Sequence, residues 1–101
     1  MPASNDAKII DDEFIISRRR GNGVLRREVW VDASGKVTRY NLAYVNHRIS
    51  HVDNGRVIGY DNHHGRHHRH YMGRVESMDF TSFEEIEARF EIEWLKISKR
   101  G

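Results

Sequence analysis

Residues 24–45, VLRREVWVDASGKVTRYNLAYV, give the clearest indication of the fold of this chain. Leu25 and Val29 fall on one face if the first part of this stretch is extended, and Tyr40 and Tyr44 do the same in its last part. Even spacing of apolar residues is typical of strands with one buried face. The DASGK between them is a turn signal, because Asp, Ser and Gly favour tight turns. We therefore predict two antiparallel strands joined by a short turn.

The sequence on either side extends this pair into a meander of about five antiparallel strands. Before it, the second half of residues 7–17 is predicted as a strand, and Asn22-Gly23 is a hairpin signal. After it come a polar connection over residues 46–55, a short strand over 56–60, and an edge strand over 71–80.

Residues 81–98 predict one C-terminal helix. Thr81 and Glu84 have the spacing of a capping box, in which the two side chains satisfy free amides of the first turn. Apolar side chains then recur at helical spacing on one stripe: Phe83, Ile86, Phe90, Trp94 and Ile97. We expect this stripe to pack on one face of the sheet. The predicted fold class is therefore α+β, an antiparallel sheet covered on one face by a C-terminal helix.

The length of 101 residues suits a single domain. We expect a disordered N-terminus over residues 1–7, one α+β domain over 8–98, and a basic tail over 99–101. The chain has no cysteine, which excludes disulfides and thiolate metal sites. No segment resembles a signal peptide or approaches the roughly 18 apolar residues of a membrane span. The expected location is the cytoplasm, without a membrane partner.

Charge is segregated along the chain. The net charge is only +2, but residues 17–74 carry 12 Lys+Arg against 4 Asp+Glu, together with all 7 histidines. Residues 75–97 carry 2 basic and 7 acidic residues. A basic middle favours a polyanion, most simply RNA. The candidate nucleic-acid-binding residues are Arg18, Arg19, Arg20, Arg56, Arg66 and Arg69.

Chemistry is concentrated in residues 60–71, YDNHHGRHHRHY. The first interpretation is RNA cleavage without a metal ion, because histidine, with a pKa of about 6.5, serves as acid or base near neutrality. His68 and His70 lie two positions apart, so on an extended strand they share a face, and Arg69 points away. We predict these two histidines as the acid–base pair, with Asp61 orienting one imidazole. Arg66 and Arg69 would bind phosphate.

Two other interpretations stay open. Several imidazoles with one carboxylate would suit zinc, nickel or copper, yet only His47 and His51 could add a separate ligand group. We predict no metal and no other cofactor. The alternative to an enzyme is a non-catalytic module that binds nucleic acid or protein, in which the histidine-rich loop only docks phosphate.

The order of motifs resembles the TumE-like toxins of bacterial toxin–antitoxin pairs. The resemblance is carried by Arg56-Val57-Ile58-Gly59-Tyr60-Asp61-Asn62, then His64-Gly65, His68-Arg69-His70 and Phe80-Thr81-Ser82. By position it implies a functional set of Tyr60, Asp61, Asn62, Gly65, His68 and His70, with His64 as a further motif residue. The extra loop histidines His63 and His67 depart from the pattern.

The resemblance implies a growth-inhibiting toxin, encoded beside an antitoxin that often carries a helix-turn-helix domain. We therefore predict the toxin of a type II toxin–antitoxin system, acting as a metal-independent endoribonuclease. Its expected partners are RNA and the cognate antitoxin, and a homodimer is left open.

Overall fold

A computed structural model describes residues 6–100 of the chain, without the side chains of His64 and Arg100. Six strands form one antiparallel sheet in chain order, followed by one helix. The elements are β1 (Ala7–Ile16), β2 (Gly23–Val31), β3 (Val37–Val45), β4 (Arg56–Asp61), β5 (His68–Tyr71), β6 (Arg74–Ser77) and α1 (Phe83–Arg100). The predicted α+β class, an antiparallel meander with a C-terminal helix, is confirmed.

The ends of the predicted domain differ slightly from the observed elements. Of residues 1–7, expected to be disordered, residues 1–5 lie outside the described part of the chain, and Ala7 already begins β1. At the other end α1 continues through Arg100, so the helix includes residues that we expected in the basic tail.

The sheet has six strands where the sequence predicted about five. The predicted edge strand over residues 71–80 is divided, because Met72 and Gly73 have φ angles of 45° and 86° and reverse the chain between β5 and β6. Two successive residues with positive φ are typical of a two-residue hairpin turn. Met-Gly is not one of the strong hairpin signals, which is why the sequence pattern missed this turn.

The predicted faces of β2 and β3 are confirmed by the register. Leu25 pairs with Tyr44 and Val29 with Tyr40, so these four side chains lie on the same face of the sheet. The turn between the strands forms around Asp32, whose carboxylate accepts the backbone N–H groups at positions 34 and 36 over 2.9 and 3.1 Å.

Helix α1 packs over β3 and β4 and forms the core with them. Ile86 and Phe90 of the predicted apolar stripe are buried, and the Phe90 ring meets the buried Tyr60 edge-on with 6.4 Å between centroids. The side of the sheet that α1 covers is called the helix face here, and the opposite side the open face.

The cap of α1 lies one residue later than predicted. The Ser82 hydroxyl, and not that of Thr81, accepts the backbone N–H of Glu85 over 3.1 Å, and Thr81 donates to the Glu85 carboxylate. Phe83 is therefore the first helical residue, and Ser82 takes the capping position. Among the described residues, no helix combines the length and apolar character needed to cross a membrane.

Candidate functional site

Strands β4 and β5 bring Asp61, His68 and His70 together on the open face. Asp61 pairs directly with His68, and His70 pairs with Gly59, where a Cβ would come within 2.9 Å of the Arg56 side chain. One oxygen of Asp61 is 2.8 Å from Nε2 of His70, and the other is 3.8 Å from Nδ1 of His68. The two imidazole centroids are 6.3 Å apart. The three residues predicted as catalytic thus form one cluster around a single carboxylate.

The contacts of His70 define its tautomer. Nη2 of Arg56 lies 3.0 Å from Nδ1 of His70, and a guanidinium can only donate hydrogen bonds. Nδ1 therefore accepts, and Nε2 carries the proton that is donated to Asp61 over 2.8 Å. Both nitrogens of a neutral ring are occupied in this arrangement. His70 can exchange a proton with another molecule only after Arg56 moves away.

Arg56 links the cluster to the connection that precedes β4. Its Nε donates to the Asp53 carboxylate over 2.7 Å, and its Nη1 is 3.7 Å from Asp61. The side chains of both Arg56 and Asp61 are mostly buried. Of the arginines predicted to bind nucleic acid, Arg56 is the one that contacts His70, but its charge is shared with two carboxylates.

A small recess of about 100 Å³ opens beside the Asp61 carboxylate and includes Asn41, the direct neighbour of Asp61 on β3. The Asn41 amide donates to Glu28 over 3.2 Å, and this contact fixes the orientation of the amide group. Its buried Oδ1 has no hydrogen-bond partner among the described residues. An unsatisfied buried acceptor is uncommon in folded proteins.

Two features of the recess were missed by the sequence analysis, Asn41 and Arg39. The Arg39 guanidinium lies 4.7 Å from the centre of the Trp30 ring, and its Nη2 is 3.4 Å from Nδ1 of His63. Both residues point to the open face because they alternate with buried residues of β3. Asn41 pairs with Asp61, so a correct prediction of the register of β3 and β4 would have indicated both residues.

Arg69 lies on the helix face, away from the two histidines. Its Nε donates to the Tyr60 hydroxyl over 3.2 Å, and its other nitrogens donate to Glu76 and Glu93. The pKa of Arg69 is raised, mainly by the hydrogen bond to Glu93. Burial, followed by the hydrogen bond to Glu93, raises the pKa of Tyr60 to about 12. Tyr60 and Arg69 therefore hold α1 to the sheet in this structure and do not contact the cluster.

Asn62 joins β3 to the end of β4. Its side-chain oxygen accepts the backbone N–H of Tyr40 over 3.0 Å, and its amide donates to the carbonyl of Thr38 over 2.9 Å. The side chain thereby replaces the strand pairing that stops after Asp61. The remaining motif residues, His64 and Gly65, lie in a short 3-10 turn that ends with Gly65 at a φ of 75°.

The remaining predicted phosphate ligands are exposed but separate. Arg66 follows the 3-10 turn on an exposed part of the loop. Arg18, Arg19 and Arg20 form an exposed 3-10 turn between β1 and β2. Strand β2 is three strand spacings from β5, about 14 Å, so the structure does not bring this triplet to the histidines.

His67 fastens the segment that precedes α1 to the sheet. Its ring stacks on Phe80 with 4.1 Å between centroids, and its Nδ1 is 2.8 Å from the hydroxyl of Tyr40. Burial lowers the pKa of His67, and the neighbouring His68 lowers it further. His67 is therefore held as a neutral ring within the fold.

The fold and the cluster define a small α+β protein with two histidines and an arginine around one carboxylate, on the face of the sheet opposite α1. Among residues 6–100, no group of three or more histidine, aspartate or glutamate side chains has the arrangement of a metal centre. The family model described as toxin TumE matches residues 7–100. The chain therefore belongs to the TumE family of toxins, and a cognate antitoxin is its implied partner. Comparison with the curated proteins and with the solved structures gives no match.

Proposed function

We propose that this toxin is an endoribonuclease that needs no metal ion and acts in the cytoplasm, neutralised by a protein antitoxin as in type II systems. The observation that supports it most is the Asp61 carboxylate between His68 and His70 on the open face. When the 2′-hydroxyl of RNA attacks the adjacent phosphate, cleavage needs a base and an acid close together. Paired imidazoles provide both near neutral pH. The helix-turn-helix type of the antitoxin and a homodimer stay predictions.

In this proposal His68 is the base. It takes the proton of the 2′-hydroxyl, the 2′-oxygen forms a bond to phosphorus, and the bond from phosphorus to the 5′-oxygen breaks. The products are a 2′,3′-cyclic phosphate and, after protonation of the leaving oxygen, a 5′-hydroxyl end. Asp61, 3.8 Å from Nδ1 of His68, stabilises the imidazolium that forms.

His70 is assigned the role of acid, and Arg56 controls when it can act. A phosphate competes with Nδ1 of His70 for the Arg56 guanidinium. The guanidinium binds an anionic phosphate oxygen more strongly than it binds a neutral ring nitrogen. Once Arg56 turns to the phosphate, Nδ1 of His70 can hold a proton, and Asp61 at 2.8 Å from Nε2 stabilises the resulting imidazolium. His70 then protonates the 5′-oxygen. Substrate binding itself would therefore complete the catalytic arrangement.

The surroundings of the cluster would hold the rest of the RNA. Arg39 and Arg66 provide positive charge on the open face and in the adjoining loop. Asn41 lines the recess beside Asp61, its direct neighbour on β3.

Incubation of purified protein with RNA in the presence of EDTA tests the proposal. Wild type should cleave and leave 5′-hydroxyl and 2′,3′-cyclic phosphate ends, and His68→Ala should reduce the rate at least 100-fold, the usual range for losing an acid or base. His51→Ala is the matched control, because His51 is an exposed histidine of the β3–β4 connection. Binding of RNA without cleavage at any pH would contradict the proposal and favour the docking module.

A further inference from the structure

An apolar groove lies between edge strand β1 and the C-terminal half of α1, on the helix face. It encloses about 400 Å³ and is lined by Phe14, Ile16, Trp94 and Leu95, with Arg20 and Lys99 at one end. Trp94 also lines an adjoining hollow of about 330 Å³ beside Glu87 and Glu91. The two hollows share Trp94 and lie along α1, and together they are called the β1–α1 groove below.

The groove exposes apolar side chains that the core does not use. Phe14 is 62% exposed and Leu95 is 38% exposed. β1 pairs only with β2, so the groove borders a free edge of the sheet in the described part of the chain. A continuous apolar patch with a polar rim is typical of an interaction surface.

Charges at the two ends of the groove differ. At the end near the C-terminus of α1, Arg20 and Lys99 line the groove, and the exposed turn of Arg18–Arg20 adds further positive charge. At the other end Glu87 is paired with Arg27, and Glu91 lies beside it. A partner that fits must be apolar in the middle and acidic where it meets the basic end.

We propose that the β1–α1 groove binds an amphipathic helix of the cognate antitoxin, with acidic residues facing Arg20 and Lys99. Glu87 and Lys99 are twelve positions apart on α1, about 18 Å, which corresponds to a bound helix of about three turns. The groove lies on the helix face and Asp61 on the open face, so this contact is separate from the proposed catalytic cluster. The proposal rests on the antitoxin that the family implies and does not require ribonuclease activity.

The probe is the product of the adjacent reading frame, tested with Phe14→Ser and Leu95→Ser. Each variant should still arrest growth when expressed alone, should no longer be neutralised by the adjacent gene, and should bind its product at least about ten-fold more weakly. Ile92→Ser is the matched control, because Ile92 is 62% exposed on the same helix but lies outside the groove. It should bind and be neutralised as wild type. Cell-free synthesis provides the toxic proteins for the binding measurement.

Arg20→Glu tests the charge of the groove without removing an apolar contact. It should weaken binding by a similar factor, and Lys36→Glu, in the distant turn between β2 and β3, should not. Unchanged binding in Arg20→Glu and in the folded serine variants would overturn the proposal, as would failure of the adjacent product to neutralise wild type. Loss of toxicity in folded variants would assign the groove to the toxic action instead. Self-association of wild type that the variants lose would assign it to a second copy of this chain.

Discussion

Arg69 offers a sharp test of the structure, because the sequence predicts a phosphate ligand and the structure places it against α1. We expect Arg69→Met to destabilise the fold, since methionine keeps the length of the side chain and removes its donors. The carboxylate of Glu93 would then lose its cationic partner and keep only the Tyr60 hydroxyl, which donates to it. Arg66→Met, in the exposed loop, should leave the free energy of unfolding within about 0.5 kcal/mol of wild type.

The three contacts of Arg69 differ in strength. Glu76 has a side chain that is 58% exposed, so that ion pair contributes at most about 1 kcal/mol. Glu93 is less exposed, and a hydrogen bond between charged groups contributes about 1.5–3 kcal/mol. The bond to Tyr60 adds about 1 kcal/mol. Partial screening by solvent reduces the total, and we expect a loss of about 2–3 kcal/mol.

Urea unfolding followed by circular dichroism measures this loss, and thermal unfolding should show a Tm lowered by at least about 8 °C. A double-mutant cycle with Glu93→Gln should give a coupling energy of at least about 1 kcal/mol. An Arg69→Met protein that is as stable as Arg66→Met and binds RNA more weakly would contradict this assignment. That result would place Arg69 at the nucleic-acid surface, as the sequence predicts.

Two further predictions concern Asn62 and His67. Asn62→Ala should lower the free energy of unfolding by about 2 kcal/mol, because the N–H of Tyr40 and the carbonyl of Thr38 each lose a hydrogen bond; urea unfolding with no change would contradict this. His67 has a pKa lowered from 6.5, so the unfolded chain binds more protons and stability should fall as pH drops below about 6.5. His67→Phe should flatten this slope in urea titrations between pH 7 and 5, and an unchanged slope would show that other groups cause it.

Much of the fold follows from spacing in the sequence. The alternation of Leu25 and Val29 with polar residues placed β2 correctly, and the stripe that includes Phe90 placed α1, because both patterns depend only on the local geometry of one element. The hairpin at Met72 and Gly73 was not predicted, since its turn uses a residue pair that favours no particular turn. Sequence spacing also predicted that His68 and His70 share a face.

The contacts within the site depend on tertiary structure and could not be predicted. Arg56 reaches His70 only because β4 and β5 pair in one register and because the side chain of Arg56 is held by Asp53. Whether Arg69 meets RNA or α1 depends on how the helix is rotated on the sheet, which places Glu93 beside it. Asn41 became a candidate only through its pairing with Asp61 across two strands.

Growth after controlled expression shows whether the cluster around Asp61 is the toxic centre. Wild type and His51→Ala should arrest growth, and His68→Ala should not, although circular dichroism and the unfolding midpoint show that all three proteins are folded. Arrest of growth by a folded His68→Ala protein, at the same level of expression as wild type, would show that toxicity does not depend on this cluster.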